Sequence, residues 1–311
     1  MRLDLMVRRH LMDLPRATRT RVQAWIETGL VAVNGAPVRR VSRRTALGDI
    51  VTIALPEDKA RASMTAEDVQ LAVLFEDDRL MAVDKPAGLV AHPTYKHAAG
   101  TLMNALLGQA RTWPADQRPS LVSRLDKLTS GIVIVAKDAA AHAALQRAMA
   151  MNDCEKDYLA LVYGRVNVAR GEIDLRLAKD RRDHRRVAAS ATFGAESLTR
   201  FVRLARATAP PVGLSLLRCR LATGRTHQIR VHLAARGWPL VGDPMYGEPR
   251  WSDIDDPVLG ATLRAFPRQA LHAWRVSFTH PMTRARLTIE APIPNDLEQL
   301  LEASGLATHC R

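Results

Sequence analysis

Apolar and polar residues follow each other along this chain in patterns that predict both helices and strands. Helical periodicity runs from about Val7 to Leu14 and again from Thr18 to Thr28. Two short strands are predicted after these helices: one leads into Asn34–Gly35, a dipeptide typical of hairpin turns, and the other covers Ile50–Ala54. The start of the chain is therefore predicted to form a small unit that contains both kinds of element.

We divide the chain into this small unit at 1–57, a linker at 58–68 and a larger domain at 69–311. The linker is predicted because its residues are small, polar and without periodicity. The larger domain alternates predicted strands and helices without a second such segment, so we expect it to fold as one domain.

A strand buried on both faces is predicted at Ile132–Ala136, because this run is apolar and rich in β-branched residues. Gly131 is expected to let the chain turn tightly into the strand. Asp126 then lies in a polar loop directly before a rigid strand, a position that commonly holds catalytic groups. A single aspartate in such a loop more often caps the amides of its own turn, so its neighbours decide how it is interpreted.

Tyr158 lies in a strand predicted at Asp157–Tyr163. A period of two places Tyr158 on one face together with Ala160 and Val162, which are smaller. The ring is therefore either part of the core or a surface on which a base can stack.

A helix is predicted from His227 to Ala235, with Thr226 as its N-cap. Arg225 precedes this helix and Arg230 lies in its second turn. Because helix N-termini attract anions, the segment is a candidate anion-binding site.

The charge of the chain points to a polyanionic partner. Lysine and arginine number 45 against 32 aspartate and glutamate, which gives a net charge of +13. On charge alone a membrane surface or an acidic protein is also possible, but arginine suits the neutralisation of nucleic-acid phosphates. Two groups of basic residues are the candidate contacts. The first basic cluster is Arg16, Arg19, Arg21, Arg39, Arg40, Arg43 and Arg44, and the second is Lys179, Arg181, Arg182, Arg185 and Arg186.

Several other classes of protein are disfavoured. The three cysteines, Cys154, Cys219 and Cys310, are too far apart in sequence to indicate a disulfide framework or a zinc site. The sequence has no HExxH motif, no P-loop and no Rossmann glycine motif, so we expect neither a metal nor a cofactor. It also has no run of about 18 apolar residues and no signal peptide, which predicts a cytoplasmic protein that does not bind membranes.

The N-terminal unit resembles the S-four-type RNA-binding domain. The resemblance is carried by RTRVQAWIETGLVAVNGAPV, followed by GDIV, and covers nearly all of residues 1–57. It implies an RNA clamp of weak sequence specificity, in which the first basic cluster contacts phosphates.

The larger domain resembles the RluA/RluD family of pseudouridine synthases. The string SRLDKLTSG is similar to the family's central motif, HRLDxxTSG, with Ser123 where histidine is usual. Three further segments match in order: KPAGLV followed by HP within 85–93, KDYLALVYG at 156–164, and GRTHQIRVH at 224–232. The resemblance extends over about 71–294.

This resemblance implies an α+β fold with a mixed, mostly antiparallel sheet and flanking helices. It implies that Asp126 is the essential catalytic residue, that Arg230 forms an ion pair with it, and that Tyr158 holds the uracil and assists loss of its C5 proton. Arg124 is expected to stack on a flipped base or fill the gap that the base leaves, and Arg225 to contact RNA.

The implied reaction converts uridine in RNA to pseudouridine without a cofactor. Large-subunit ribosomal RNA is the preferred substrate, transfer RNA is the alternative, and a monomer is expected. The resemblance does not choose between a covalent adduct of Asp126 and a glycal intermediate.

Two other functions fit parts of the sequence. A non-catalytic RNA-binding factor for ribosome assembly would need the basic clusters but not Asp126. A nucleoside or glycoside hydrolase would share aspartate-assisted cleavage of a glycosidic bond, although no second carboxylate near Asp126 is evident from the sequence.

Overall fold

The computed structural model describes residues 1–11, 18–46, 48–55, 64–94, 97–151, 153–209, 211–247 and 250–307. The chain forms two compact units, Met1–Ser63 and Met64–Arg311. The domain boundaries predicted from the sequence, after residues 57 and 68, stay predictions. Of the residues singled out from the sequence, Arg16, Cys310 and Leu14, the predicted end of the first helix, lie outside the described residues.

In the described part of the first unit, two helices and three short strands surround one apolar core. The elements are α1 (Leu3–His10), α2 (Arg19–Glu27), β1 (Val31–Val33), β2 (Ala36–Pro37) and β3 (Val51–Ile53), with the antiparallel sheet order β2–β1–β3. The predicted turn at Asn34–Gly35 is confirmed, since both residues have positive φ. The first helix begins at Leu3 rather than Val7, because Leu3 and Val7 lie one turn apart and both are fully buried.

The second unit contains the remaining α-helices and strands, together with 3-10 helices at Ala110–Thr112 and Trp251–Asp253. Its helices are α3 (Leu102–Gln109), α4 (Ala139–Ala150), α5 (Gln228–Ala235), α6 (Pro257–Ala265) and α7 (Asn295–Ala303). Its strands are β4 (Ala72–Glu76), β5 (Leu80–Lys85), β6 (Ser120–Leu121), β7 (Ser130–Ala136), β8 (Glu155–Tyr163), β9 (Arg170–Asp174), β10 (Arg176–Lys179), β11 (Val187–Ser190), β12 (Leu198–Ala207), β13 (Leu214–Leu221), β14 (Leu271–Thr279) and β15 (Arg286–Glu290). Across the ranges given above, no helix has the length and apolarity needed to cross a membrane.

Ten of these strands form one sheet, in the order β4–β5–β7–β14–β8–β13–β12–β9, with β6 beside β7 and β15 beside β14. Strands β10 and β11 form a separate hairpin. In the described part of the large sheet, the pair β7 and β14 is parallel and the other pairs are antiparallel. The predicted α+β class with a mixed, mostly antiparallel sheet is confirmed.

Strand β8 alternates between two cores, as its sequence predicts. Tyr158 and Ala160 belong to one buried cluster, whereas Leu161 and Tyr163 belong to another. Ile229 of α5 lies in the same cluster as Tyr158. The phenol of Tyr158 is therefore on the face of the sheet that α5 covers.

Gly131 has a different role from the predicted one. It lies inside β7 rather than at a turn, with a φ of +107°. A Cβ atom at this position would be 2.2 Å from the carbonyl oxygen of Ala273 in β14. Glycine is thus needed so that β14 can approach β7 closely, directly after the loop that carries Asp126.

A buried histidine joins the same two strands. His272 of β14 is fully buried, and its Nδ1 atom is 3.0 Å from the hydroxyl oxygen of Ser130 in β7. Burial lowers the pKa of His272 to about 4, so the imidazole is neutral at pH 7.

Gly131→Ala is expected to lower the free energy of unfolding by more than about 3 kcal/mol, because the new methyl group meets a backbone carbonyl at a positive φ. Gly237→Ala is the matched control. Gly237 has a φ of +75°, but no heavy atom lies within 4 Å of its Cβ position, so we expect a loss of about 1 kcal/mol. Urea unfolding followed by circular dichroism measures the free energy of unfolding of both variants. Equal losses of stability in the two variants would contradict the role given to Gly131.

Acid is expected to destabilise the second unit through His272. In the unfolded chain this histidine regains a pKa near 6.5, so the unfolded state binds the proton more readily. The contribution to stability is complete above pH 6.5 and is lost as the pH falls towards 4, by up to about 3 kcal/mol. His272→Asn is expected to flatten this part of the pH profile of unfolding, whereas His184→Asn, at an exposed position, leaves it unchanged. If the free energy of unfolding of the His272 variant falls with pH as steeply as that of the wild-type protein, His272 is not the group responsible.

Candidate active site

Asp126, Tyr158 and Arg230 line one open cleft of about 1380 Å³ in the second unit. They come from the loop before β7, from strand β8 and from helix α5. Arg124 and Arg225 line the same cleft. The fold therefore brings together the residues predicted for catalysis, while their catalytic roles stay predictions.

The loop that carries Asp126 is fixed by Lys85, a fully buried lysine at the end of β5. Its ammonium group donates hydrogen bonds to the carbonyl oxygens of Pro86, Leu89 and Lys127, at 2.9, 3.0 and 3.3 Å. Burial lowers the pKa of Lys85 to about 8, against the opposing influence of the Asp126 carboxylate. Lys85 thus ties the turn after β5 to the residue that follows Asp126.

Arg230 forms the predicted ion pair with Asp126. Its Nη1 atom donates to Oδ2 of Asp126 at 2.9 Å, and its Nε and Nη2 atoms donate to the two carboxylate oxygens of Asp243 at 2.7 and 2.8 Å. Burial opposes the charge of Arg230, but the bonds and charges of the two carboxylates outweigh burial and raise the pKa of Arg230 above its usual value. The side chain of Asp126 is 25% exposed to solvent, so a substrate can reach it.

The start of α5 differs from the prediction. Thr226 does not cap the helix: the residue before α5 is His227, which has a φ of +56° and no side-chain cap. The amide oxygen of Gln228 accepts a hydrogen bond from the backbone N–H of Arg225 at 3.0 Å and closes this turn instead. Positive φ is uncommon for residues other than glycine, although histidine adopts it more readily than most.

His227 faces the catalytic candidate. Its Nε2 atom is 3.9 Å from Oδ1 of Asp126, which is too long for a direct hydrogen bond. Burial lowers the pKa of His227 below its usual value, although the charge of Asp126 acts in the opposite direction. The imidazole is therefore neutral at pH 7.

Tyr158 lies in an apolar part of the cleft. It is 8% exposed and belongs to the same buried cluster as Leu125, Ile229 and Leu271. Burial raises the pKa of Tyr158 well above its usual value, and the charge of Asp126 adds to the effect. The phenol therefore keeps its proton beside the carboxylate.

The other predicted arginines are exposed wherever the structure describes them. Arg124 and Arg225 are exposed at the cleft. In the second basic cluster, Arg185 is paired with Asp183 at 2.8 Å. The exposed arginines of the two basic clusters are Arg19, Arg21, Arg39, Arg40, Arg43 and Arg44 in the first unit, and Arg181, Arg182, Arg185 and Arg186 in the second.

Four residues that shape the site, Lys85, His227, Asp243 and Tyr246, were not predicted as site residues from the sequence. Asp243 binds Arg230, and the hydroxyl oxygen of Tyr246 is 2.8 Å from Nδ1 of His227. The segment Gly242–Asp243–Pro244 is a recognisable turn signal. Nothing in that signal indicates that the carboxylate binds an arginine 13 residues earlier.

The cleft offers an accessible carboxylate held by an arginine, a neutral imidazole and a protonated phenol in apolar surroundings. A carboxylate in this setting can act as a nucleophile or as a base towards a nucleoside. Within the described ranges, no group of three or more histidine, cysteine, aspartate or glutamate residues is placed to hold a metal ion.

Known proteins share both the sequence and the fold of this unit. Residues 79–235 match the family described as RNA pseudouridylate synthase. The chain is 39% identical over 290 residues to ribosomal large subunit pseudouridine synthase D of Nitrosomonas europaea. The alignment covers 93% of this chain and 81% of that protein. It is 36% identical over 288 residues to an uncharacterised RNA pseudouridine synthase of Bacillus subtilis, with coverages of 92% and 89%.

A solved structure agrees with these sequence comparisons. Human RNA Pseudouridylate Synthase Domain Containing 1 superposes with a TM-score of 0.58 and 25% sequence identity, over 76% of this chain and 89% of that chain. The family match and the two relatives cover the loop of Asp126, strand β8 and helix α5. This chain therefore belongs to the RNA pseudouridylate synthase family.

Proposed function

We propose that this protein isomerises uridine to pseudouridine in large-subunit ribosomal RNA, with Asp126 as its catalytic residue. The observation that carries the proposal is the 2.9 Å ion pair between Arg230 and Asp126, in a cleft that also holds Tyr158. A charge-assisted hydrogen bond from arginine fixes the orientation of a carboxylate. Asp126 is thereby held ready for a nucleoside that enters the cleft.

The isomerisation breaks the bond between N1 of uracil and C1′ of ribose, turns the base, and joins C5 to C1′. The C5 proton is lost and N1 gains a proton, so the overall composition does not change. Asp126 begins the reaction in one of two ways: it attacks as a nucleophile, or it removes a ribose proton so that a glycal forms. Both routes require the target uridine to leave its stack.

Tyr158 is proposed to hold the uracil. Its ring lies in the apolar part of the cleft, and because burial raises its pKa the phenol remains protonated. A protonated phenol does not accept a proton, so we propose that Tyr158 stacks on the uracil rather than removing its C5 proton. Arg124, exposed at the same cleft, is proposed to fill the gap that the flipped uridine leaves.

RNA binding outside the cleft is assigned to the exposed arginines of the two basic clusters. We propose that residues 1–57 are an S-four-type RNA-binding domain in which the first cluster contacts phosphates. Exposed guanidinium groups bind phosphates with little dependence on sequence.

Ribosomal RNA is proposed as the substrate because the relative in Nitrosomonas europaea is named for the large ribosomal subunit. With that substrate we also propose that the enzyme acts in the cytoplasm, and that it acts as a monomer. Transfer RNA is the alternative that the following experiment tests.

Asp126→Asn is expected to abolish the reaction, because the amide is neither a nucleophile nor a base. Tritium release from RNA that carries tritium at uridine C5 should fall by about 10⁴-fold or more, while the Kd for RNA changes little. Asp255→Asn removes an exposed acid outside the site and serves as the control. Full activity of the Asp126 variant would disprove the assigned role.

The same measurement separates the rival functions when ribosomal and transfer RNA are used in parallel. Tritium release from transfer RNA but not from ribosomal RNA would exclude ribosomal RNA as the substrate. Free uracil among the products would indicate a hydrolase, and binding without tritium release by the wild-type protein would indicate a non-catalytic RNA-binding factor.

Arg40→Gln is expected to weaken binding to every RNA tested and to reduce its salt dependence. Loss of one phosphate contact should lower the slope of log K against log salt concentration by about 0.7 to 0.9. Arg8→Gln removes the same charge from α1, outside the first basic cluster, and is expected to keep the wild-type slope. Equal slopes for the two variants would argue against a phosphate contact at Arg40.

A further inference from the structure

Tyr246 contacts both the candidate active site and the arginine-rich hairpin, by which we mean β10, β11 and residues 180–186 between them. Its hydroxyl oxygen is 2.8 Å from the backbone nitrogen of Val187, at the start of β11, and 2.8 Å from Nδ1 of His227. Its ring stands edge-on to the imidazole of His227, with 5.5 Å between centroids. Tyr246 thus joins a hairpin that carries exposed arginines to a residue that faces Asp126.

The ring of Tyr246 also lies against two guanidinium groups. The Cζ atom of Arg230 is 4.9 Å from the ring centroid and that of Arg186 is 5.3 Å from it, both within the range of cation–π attraction. Asp243 anchors the arrangement, because its Oδ1 atom accepts hydrogen bonds from Nη2 of Arg230 at 2.8 Å and from the backbone N–H of Tyr246 at 3.0 Å. Arg230 and Tyr246 therefore share one fixed partner.

The hydrogen bonds of Tyr246 favour one tautomer of His227. The backbone N–H of Val187 can only donate, so the phenol oxygen accepts this bond and its own proton is available to bind Nδ1 of His227. Burial lowers the pKa of His227 and raises that of Tyr246, so the imidazole is neutral and the phenol protonated. The imidazole proton then lies on Nε2, the atom 3.9 Å from Oδ1 of Asp126.

We propose that Tyr246 is a positioning residue that links RNA binding at the arginine-rich hairpin to the arrangement of His227 and Arg230 around Asp126. This inference rests on the proposed function. Phosphates that bind the hairpin act on Arg186 and on the backbone at Val187, and both contact Tyr246. An RNA that fills the cleft without reaching the hairpin leaves this link unused and is therefore expected to react slowly.

The first test is Tyr246→Phe, which keeps the ring but removes the hydroxyl group and both of its hydrogen bonds. We expect the rate of tritium release in a single turnover, at saturating RNA, to fall about tenfold, while the Kd for RNA stays within about twofold. Tyr163→Phe, which alters a buried tyrosine of the other core cluster, is the matched control and should keep the wild-type rate. A purely structural role would instead lower the unfolding temperature and leave the rate of the folded fraction unchanged.

The second test compares two arginines of the hairpin that carry the same charge. Arg186 contacts the ring of Tyr246, whereas Arg182 is exposed and has no contact with it in the described structure. Arg186→Gln and Arg182→Gln are expected to weaken RNA binding to a similar extent. At saturating RNA, the rate of the Arg186 variant should be at least about threefold below that of the Arg182 variant, and Tyr246→Leu, which also removes the ring that Arg186 contacts, should abolish this difference.

The outcomes separate this inference from the function on which it rests. If the wild-type protein releases no tritium from any RNA, the proposed function fails and the link fails with it. If the wild-type protein is active and Tyr246→Phe keeps its saturated rate, the positioning role is overturned while the proposed function stands. Equal saturated rates for the two arginine variants would overturn the link to the hairpin.

Discussion

The site depends on one buried arginine that is shared by two carboxylates. Arg230 is almost fully buried, and Asp126 and Asp243 both bind its guanidinium group. A buried cation is tolerated only when its charge is paired, and removal of one partner from such a group is strongly destabilising. The two carboxylates differ in exposure: the Asp243 side chain is fully buried, whereas that of Asp126 is 25% exposed. Asp243 therefore serves as the permanent counter-ion, and Asp126 is the carboxylate left open to a substrate.

The fold has to bring this pair together across 104 residues of sequence. On one side, the parallel pairing of β7 with β14 at Gly131 fixes the end of the Asp126 loop, and Lys85 fixes the backbone within it. On the other side, Gln228 closes the turn before α5 and so fixes the direction in which Arg230 points. Each side is held by buried polar groups with partners, which is the condition for precise geometry in a core.

Local patterns predicted the parts of this arrangement that depend on local physics. The two faces of β8, and with them the position of Tyr158, follow from a period of two in one strand. The buried strand after Asp126 follows from its β-branched run. The ion pair between Asp126 and Arg230 came from a family resemblance, because no periodicity relates two such distant residues.

The features that sequence reasoning missed are determined by distant contacts. Gly131 looked like a turn residue because the carbonyl that requires it belongs to Ala273. Thr226 looked like an N-cap, but Gln228 takes over that function through its bonds to the preceding turn. Asp243 lies in a turn that any surface loop could contain, and only the folded structure shows that it meets Arg230.

The charges around the cleft explain how a site with an anionic catalytic candidate can accept a polyanion. In the described lining of the cleft, Asp126 is the one acidic residue, against Arg118, Arg124, Lys127, Lys156, Arg225 and Arg230. The exposed cations attract phosphates, and because salt screens exposed charges beyond about 8 to 10 Å, this attraction depends on ionic strength. Asp126 repels a phosphate at short range but not a neutral uracil or ribose. The cleft as a whole therefore attracts the RNA backbone, while its centre favours the nucleoside over the phosphate.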